Sequence, residues 1–208
     1  LNRVAPHTGY SGPIQSGIAK MIAVGLGKSD GARSLHRHGF EAGYLIGEMA
    51  AVALETSPFL LAVAMLEDGT GKLSRVEVLK PGSIMTREPA LLEEAIEMWP
   101  RIPVVSADLL IVDEMGKDFS GIGMDPLVTG RGKVFPPGEG PTFSATRLVA
   151  LRLSPKSRGN ATGVGHADII TSNLFDQIDF QATYRNVLTS GALYRANVPI
   201  VAATDREA

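Results

Sequence analysis

Phe59-Leu60-Leu61-Ala62-Val63-Ala64-Met65-Leu66, followed by Asp68-Gly69-Thr70-Gly71 and then Leu73-Ser74-Arg75-Val76-Glu77-Val78, is the stretch that decides the fold. The unbroken apolar run predicts a strand covered on both faces. The Asp/Gly cluster is a turn, and the alternation of Arg75 and Glu77 with Val76 and Val78 predicts a second strand. A helix is expected next, around Glu88 to Trp99. Its apolar face is Leu91, Leu92, Ala95, Ile96 and Trp99, and its wet face Glu93, Glu94 and Glu97.

The same vocabulary continues on both sides. Val4 to Thr8 is expected to end a strand, with His7 at its carboxyl end and Gly9, Gly12 and Pro13 punctuating the loop that follows. Helical stretches are expected over Ser16 to Leu26, Ser29 to His36 and Phe40 to Leu54. Downstream, Ala107 to Val112 is a further buried strand ending in Asp113-Glu114. Gly116 to Pro141 is Gly- and Pro-rich without a period. Thr146 to Leu153 is a strand, Phe180 to Leu188 a helix and Val198 to Ala202 a last strand. Strands alternating with helices give an α/β fold with a mixed or mostly parallel sheet and helices on both faces. We divide it into 1–104 and 105–208, the second part carrying the loop 116–141. Ligands of such sheets gather beyond the carboxyl ends of the strands, an edge that His7, Asp113-Glu114 and the Lys117 loop are expected to share. The ends of the sequence look like interrupted elements, so a fragment of a larger two-domain protein is expected.

Composition narrows the classes. The 208 residues carry 20 basic and 22 acidic side chains, a balance that gives no reason to expect a nucleic-acid partner or an acidic membrane surface. Cysteine is absent, which excludes disulfides, iron–sulfur clusters and thiolate metal sites within the chain. The longest apolar stretch, Pro58 to Leu66, is too short to span a bilayer, and no signal sequence opens the chain. The expectation is a cytoplasmic protein; self-association into a homo-oligomer is left open.

Three of the four histidines fall between His7 and His38, beside glycine turns and Lys20. Histidine moves protons near neutral pH and is the commonest metal ligand. Familiar motifs fail here. Gly27-Lys28-Ser29 ends like a phosphate loop, but the glycine required five residues before Gly27 is Ile22. Gly121-Ile-Gly123 continues as Met-Asp-Pro, and Gly163-Val-Gly165 as His-Ala-Asp, so neither completes a dinucleotide fingerprint. His36-x-His38 with His7 lacks the local carboxylate of a usual zinc site.

The segment Pro6-His7-x-Gly9-Tyr10-Ser11-Gly12, with Lys20 and with His36 sixteen residues after it, resembles the nickel-pincer-dependent lactate racemase family. Ile111-Val112-Asp113-Glu114-Met115-Gly116-Lys117 through Gly121-x-Gly123-Met124-Asp125-Pro126 looks like one branch of its relatives. The resemblance implies an isomerase (racemase or epimerase) of a 2-hydroxy acid or related carbinol. Its cofactor would be a nickel-pincer nucleotide, a pyridinium bis-thiocarboxylate mononucleotide carrying nickel. Lys20 would be the covalent tether, His36 the nickel ligand and His7 a catalytic acid–base, with Ser11 and Lys117 also against the cofactor. The family's second acid–base histidine would lie upstream of Leu1, so the resemblance implies that the isolated fragment lacks full activity and need not retain the cofactor.

Each of these residues also has an ordinary reading. His7 can bond a turn, Lys20 can be a solvated helix lysine, and His166 can bond Asp168 two residues on. Arg131 and Lys117 can form structural pairs. The competing functions are a non-catalytic ligand-binding or scaffold domain that keeps the racemase-like fold, and a phosphate- or nucleotide-binding protein using the glycine turns and Lys117.

Overall fold

A computed structural model describes residues 1–7, 12–25, 30–32, 34–35, 37–38, 42–132 and 142–208. They form an α/β protein of two compact units, the first spanning Leu1–Arg101 and the second the described residues from Ile102 to Ala208. Each unit has its own sheet, of order β1-β2-β3 in the first and β4-β5-β6-β7 in the second.

In the first unit β1 (Asn2–Arg3) lies parallel to β2 (Ala62–Glu67), which pairs antiparallel with β3 (Leu73–Leu79). The turn between β2 and β3 is built by Asp68. Its carboxylate accepts the amides of Thr70 and Lys72 and the Thr70 hydroxyl, while Gly71 takes the left-handed φ of +77°. Along β2, Ala62, Ala64 and Leu66 are buried and their alternates are not. This corrects the expectation of a strand covered on both faces. The apolar run Phe59–Leu61 precedes the strand, and Leu60 is 86% exposed.

Helix α1 (Ile18–Lys20) runs on as a π-helical turn, Met21–Gly25. Helix α2 (Ala42–Thr56) buries Ala42, Ile46 and Ala50, spaced four apart on one stripe. Helix α3 (Ile84–Glu97) starts one turn earlier than predicted, carries Pro89 within it, and buries Glu88, Leu91, Leu92 and Ala95. Ile96 and Trp99, expected on the apolar face, are not in the core; Ile96 is 38% exposed and Trp99 follows the helix. The core of this unit joins Ala64 and Leu66 to Leu91, Leu92 and Ala95, and to Ile18, Ala19 and Ile46.

The second sheet is all parallel. Strand β4 (Ser106–Met115) pairs with β5 (Ser144–Leu153) over nearly its whole length, and short β6 (Ile169–Thr171) and β7 (Ile200–Ala202) follow in order. Strand β4 is not the buried strand expected. It stands at the edge of the sheet, with Leu110 and Val112 packed on the core and Leu109 and Ile111 about half exposed. The Gly/Pro-rich stretch contains a short helix, α4 (Pro126–Thr129), capped by Asp125 and closed by Gly130 at φ +68°. Helices α5 (Ser172–Asp176) and α6 (Phe180–Ser190) are capped by Thr171 and Asp179, whose side chains accept the Leu174 and Ala182 amides. Helix α5 and strand β6 were not anticipated; both are too short to show a period.

Candidate functional site

The predicted residues do not share one sheet edge. His7 and Lys20 belong to the first unit and Lys117 to the second; Ser11 and His36 lie outside the described residues. Among the described residues no three His, Asp or Glu side chains are grouped as a metal would require, and His38 is exposed.

In the first unit the strand ends before His7. Ala5 pairs with Ser16 through two backbone hydrogen bonds of 2.9 and 3.2 Å, folding residues 5–7 back on the start of α1. His7 donates its amide to Oε1 of buried Gln15 at 2.6 Å. Asn2 donates its side-chain amide to the Gly17 carbonyl at 2.8 Å. One further tether comes from α3: the Ala19 amide donates to Glu88 Oε2 at 3.0 Å. Residues 15–20 are thus held from three elements, and Lys20 stands at the end of the segment. Desolvation by its surroundings lowers the Lys20 amine from the usual lysine range to about 8.

Glu88 was missed by sequence reasoning. It is 1% exposed, its Oε1 has no hydrogen-bond partner among the described residues, and burial raises its carboxyl above the usual range against the pull of the Ala19 and Ile18 amides. It fits only because residue 17 is glycine; a Cβ there would lie 2.2 Å from Glu88 Oε1. A signal was available, since Glu88, Leu91, Leu92 and Ala95 follow a three-and-four spacing that puts the acid on the buried stripe.

In the second unit Lys117 follows the carboxyl end of β4, as expected. Its backbone amide donates to Ser157 Oγ at 2.7 Å, and its ammonium donates to the Gly121 carbonyl and, at 2.9 Å, to Asn186 Oδ1. Thr162 donates its hydroxyl to the same Asn186 oxygen at 2.8 Å. Two glycine loops interlock beside this network: a Cβ on Gly123 would stand 2.2 Å from the Thr162 carbonyl oxygen, and one on Gly163 1.9 Å from that of Ile122. Asp113, at the end of β4, is paired with Arg152.

His166 and Asp168 do not bond each other. Asp168 pairs with Arg131 at 2.6 Å and accepts the Leu148 amide at 2.8 Å, so both residues are structural partners within the sheet edge. His166 is 5% exposed, stacked on Tyr194 with ring centroids 5.7 Å apart, and neither ring nitrogen has a hydrogen-bond partner among the described residues. Burial, then the charges of Arg195 and Arg131, push its imidazole down to about 4. An open polar depression of about 350 Å³ at the starts of β4 and β5, lined by Ser106, Asp108, Ser144 and Thr146, contains none of the predicted residues.

These features define an α/β protein with a desolvated lysine in one unit and a buried, cation-rich loop junction in the other. Comparison with protein-family models, curated proteins and solved structures finds no match to this chain. No helix among the described residues is long and apolar enough to cross a membrane.

Proposed function

We propose that the first unit is the amine-bearing side of a cytoplasmic racemase or epimerase acting on a 2-hydroxy acid or related carbinol, of the nickel-pincer lactate racemase type. The observation that supports it is Lys20. With its amine lowered to about 8, about a tenth of it is uncharged at pH 7, ~300-fold more than for a solvated lysine. Only the uncharged amine is nucleophilic, so desolvation suits Lys20 to a covalent link. The tethers on Gln15, Ser16, Gly17 and Ala19 fix the backbone from which that amine projects.

The group itself fits the chain in part. Lys20 would hold the nucleotide through its amine, and His36 would hold the nickel through a neutral imidazole, a donor that nickel(II) accepts readily. When bound, the nucleotide supplies a hydride acceptor. His7, whose backbone is fixed on Gln15, would take the proton from the substrate hydroxyl and return it. Lys117 stands in the second unit with two of its donors already engaged, so its role toward the nucleotide rests on the sequence resemblance alone.

The test is mass spectrometry of the protein produced together with the enzymes that make the pincer nucleotide. An adduct on the peptide carrying Lys20, lost in Lys20→Arg, with nickel retained by the wild type and lost in His36→Ala, is the expected result. An unmodified Lys20 and no bound nickel would reject the reading.

A further inference from the structure

We infer that the second unit binds a small oxyanion, a phosphate or a carboxylate, between Arg195, Lys117 and the His166 ring, along the loop Asn160–His166. The loop runs between two anchors. At one end Thr162 meets Asn186, which also takes Lys117. At the other the 3₁₀ segment Leu193–Ala196 lies against it, with the Gly163 amide donating to the Arg195 carbonyl at 2.8 Å and His166 stacked on Tyr194. Gly165 permits this approach, since a Cβ there would lie 2.1 Å from the Tyr194 carbonyl oxygen.

Donors collect along this loop without acceptors to meet them. Among the described residues the buried Arg195 Nε–H has no hydrogen-bond partner, and neither has the one ring N–H that the neutral His166 imidazole carries. The Arg195 guanidinium forms no ion pair among the described residues, and the Lys117 ammonium has two partners for three N–H donors. The charges that act on Lys117 and His166 are themselves cationic, Arg195 on both and Arg131 on His166. Two acids of this unit are engaged elsewhere: Asp168 on Arg131 and the Leu148 amide, Asp179 on the Ala182 amide that caps α6. Buried donors left unpaired are costly, and like charges brought together add to that cost. An oxyanion offers acceptors to all three groups, and Arg and Lys are the side chains that recognise it. The racemase reading also gives Lys117 a role, but this site involves none of the first-unit residues, and a test that reads anion binding in the second unit can fail without the adduct on Lys20 failing.

The experiment is thermal unfolding of the whole chain titrated with inorganic phosphate, and separately with acetate, against sodium chloride at constant ionic strength. The expected result is a rise in melting temperature with phosphate or acetate that chloride does not produce, the more effective anion naming the ligand chemistry. Arg195→Gln should weaken that binding by at least about tenfold, and Arg195→Lys should retain part of it. Because the Arg195 guanidinium makes no hydrogen bond or ion pair among the described residues and lies only over the neighbouring Tyr194 ring, 5.7 Å from its centroid, Arg195→Gln should melt close to wild type without anion. The inference is overturned if neither anion acts beyond chloride, or if Arg195→Gln responds as wild type does.

Discussion

Acidification should loosen the second unit through His166, by an amount the structure fixes. In the folded chain the imidazole is held near 4, while in the unfolded chain it titrates near 6.5. Above pH 6.5 both states hold it neutral and it contributes nothing to pH dependence. As pH falls from 6.5 the unfolded chain takes the proton first, and stability drops by about 1.4 kcal/mol per pH unit. Below about pH 4 both states are protonated and the loss levels off, at about 3 kcal/mol in total. With only 5% of His166 exposed, solvent screening is slight. The comparison is wild type against His166→Phe, which keeps a ring beside Tyr194 and removes the titration. Stability is read from hydrogen exchange of the Leu148 and Ile170 amides in β5 and β6, from pH 7.5 to 4 in phosphate-free buffer, so that the second unit alone is followed. The difference between the two profiles isolates His166 from every other titrating group. Parallel profiles would show that the imidazole is not held neutral by burial, and the reasoning would fall.

Other outcomes follow from the same contacts. Gly17→Ala, which sets a methyl 2.2 Å from Glu88 Oε1, should cost the first unit about 2 kcal/mol or more in urea unfolding followed by Trp99 fluorescence. Because the folded chain raises the Glu88 carboxyl, its contribution is fully present below the unfolded value and is lost as pH rises through the folded one. The first unit should therefore respond to acid in the opposite sense to the second, and Glu88→Gln should remove that response. Gly163→Ala, with φ at +100° and a Cβ 1.9 Å from the Ile122 carbonyl, should destabilise the second unit by about 3 kcal/mol or more, seen as lost protection in β5. Acylation of Lys20 by a small amine reagent should follow a titration centred near pH 8; a midpoint near 10 would show the amine to be solvated.

The α/β class was legible because its signals are local. The Asp68–Gly71 turn, the alternation through Arg75 and Glu77, and the stripe of Leu91, Leu92 and Ala95 in α3 each decide their own element. Burial was less legible. The run Phe59–Leu66 and the stretch Ala107–Val112 both looked like strands covered on two faces, yet each alternates in the structure. An apolar run records what a strand is made of, and its position in the sheet decides how much is covered. Strand β4 is at an edge, and no feature of its own sequence states that. The division of His7 and Lys117 between two sheets escaped for the same reason, since periodicity finds strands but not which sheet receives them.

Glu88 and His166 show where residue-by-residue reading stops. Glu88 reads in the sequence only as the start of a helix, and His166 as a loop histidine bonded to Asp168. Both are buried, and each burial depends on a glycine whose role is spatial. Gly17 has φ 174°, extended backbone that any residue adopts, so no turn asks for glycine there; what asks for it is the carboxylate of Glu88. Gly165 likewise makes room for the Tyr194 carbonyl, and with it for the ring that stacks on His166 and for Arg195. A glycine is usually taken as a sign of the conformation at its own position. At these two positions it is instead evidence of what lies across from it, a fact carried by residues 71 and 29 positions away in the chain. A buried ionisable group and the missing side chain that admits it are one feature written in two distant places, and neither half identifies the other until the fold brings them together.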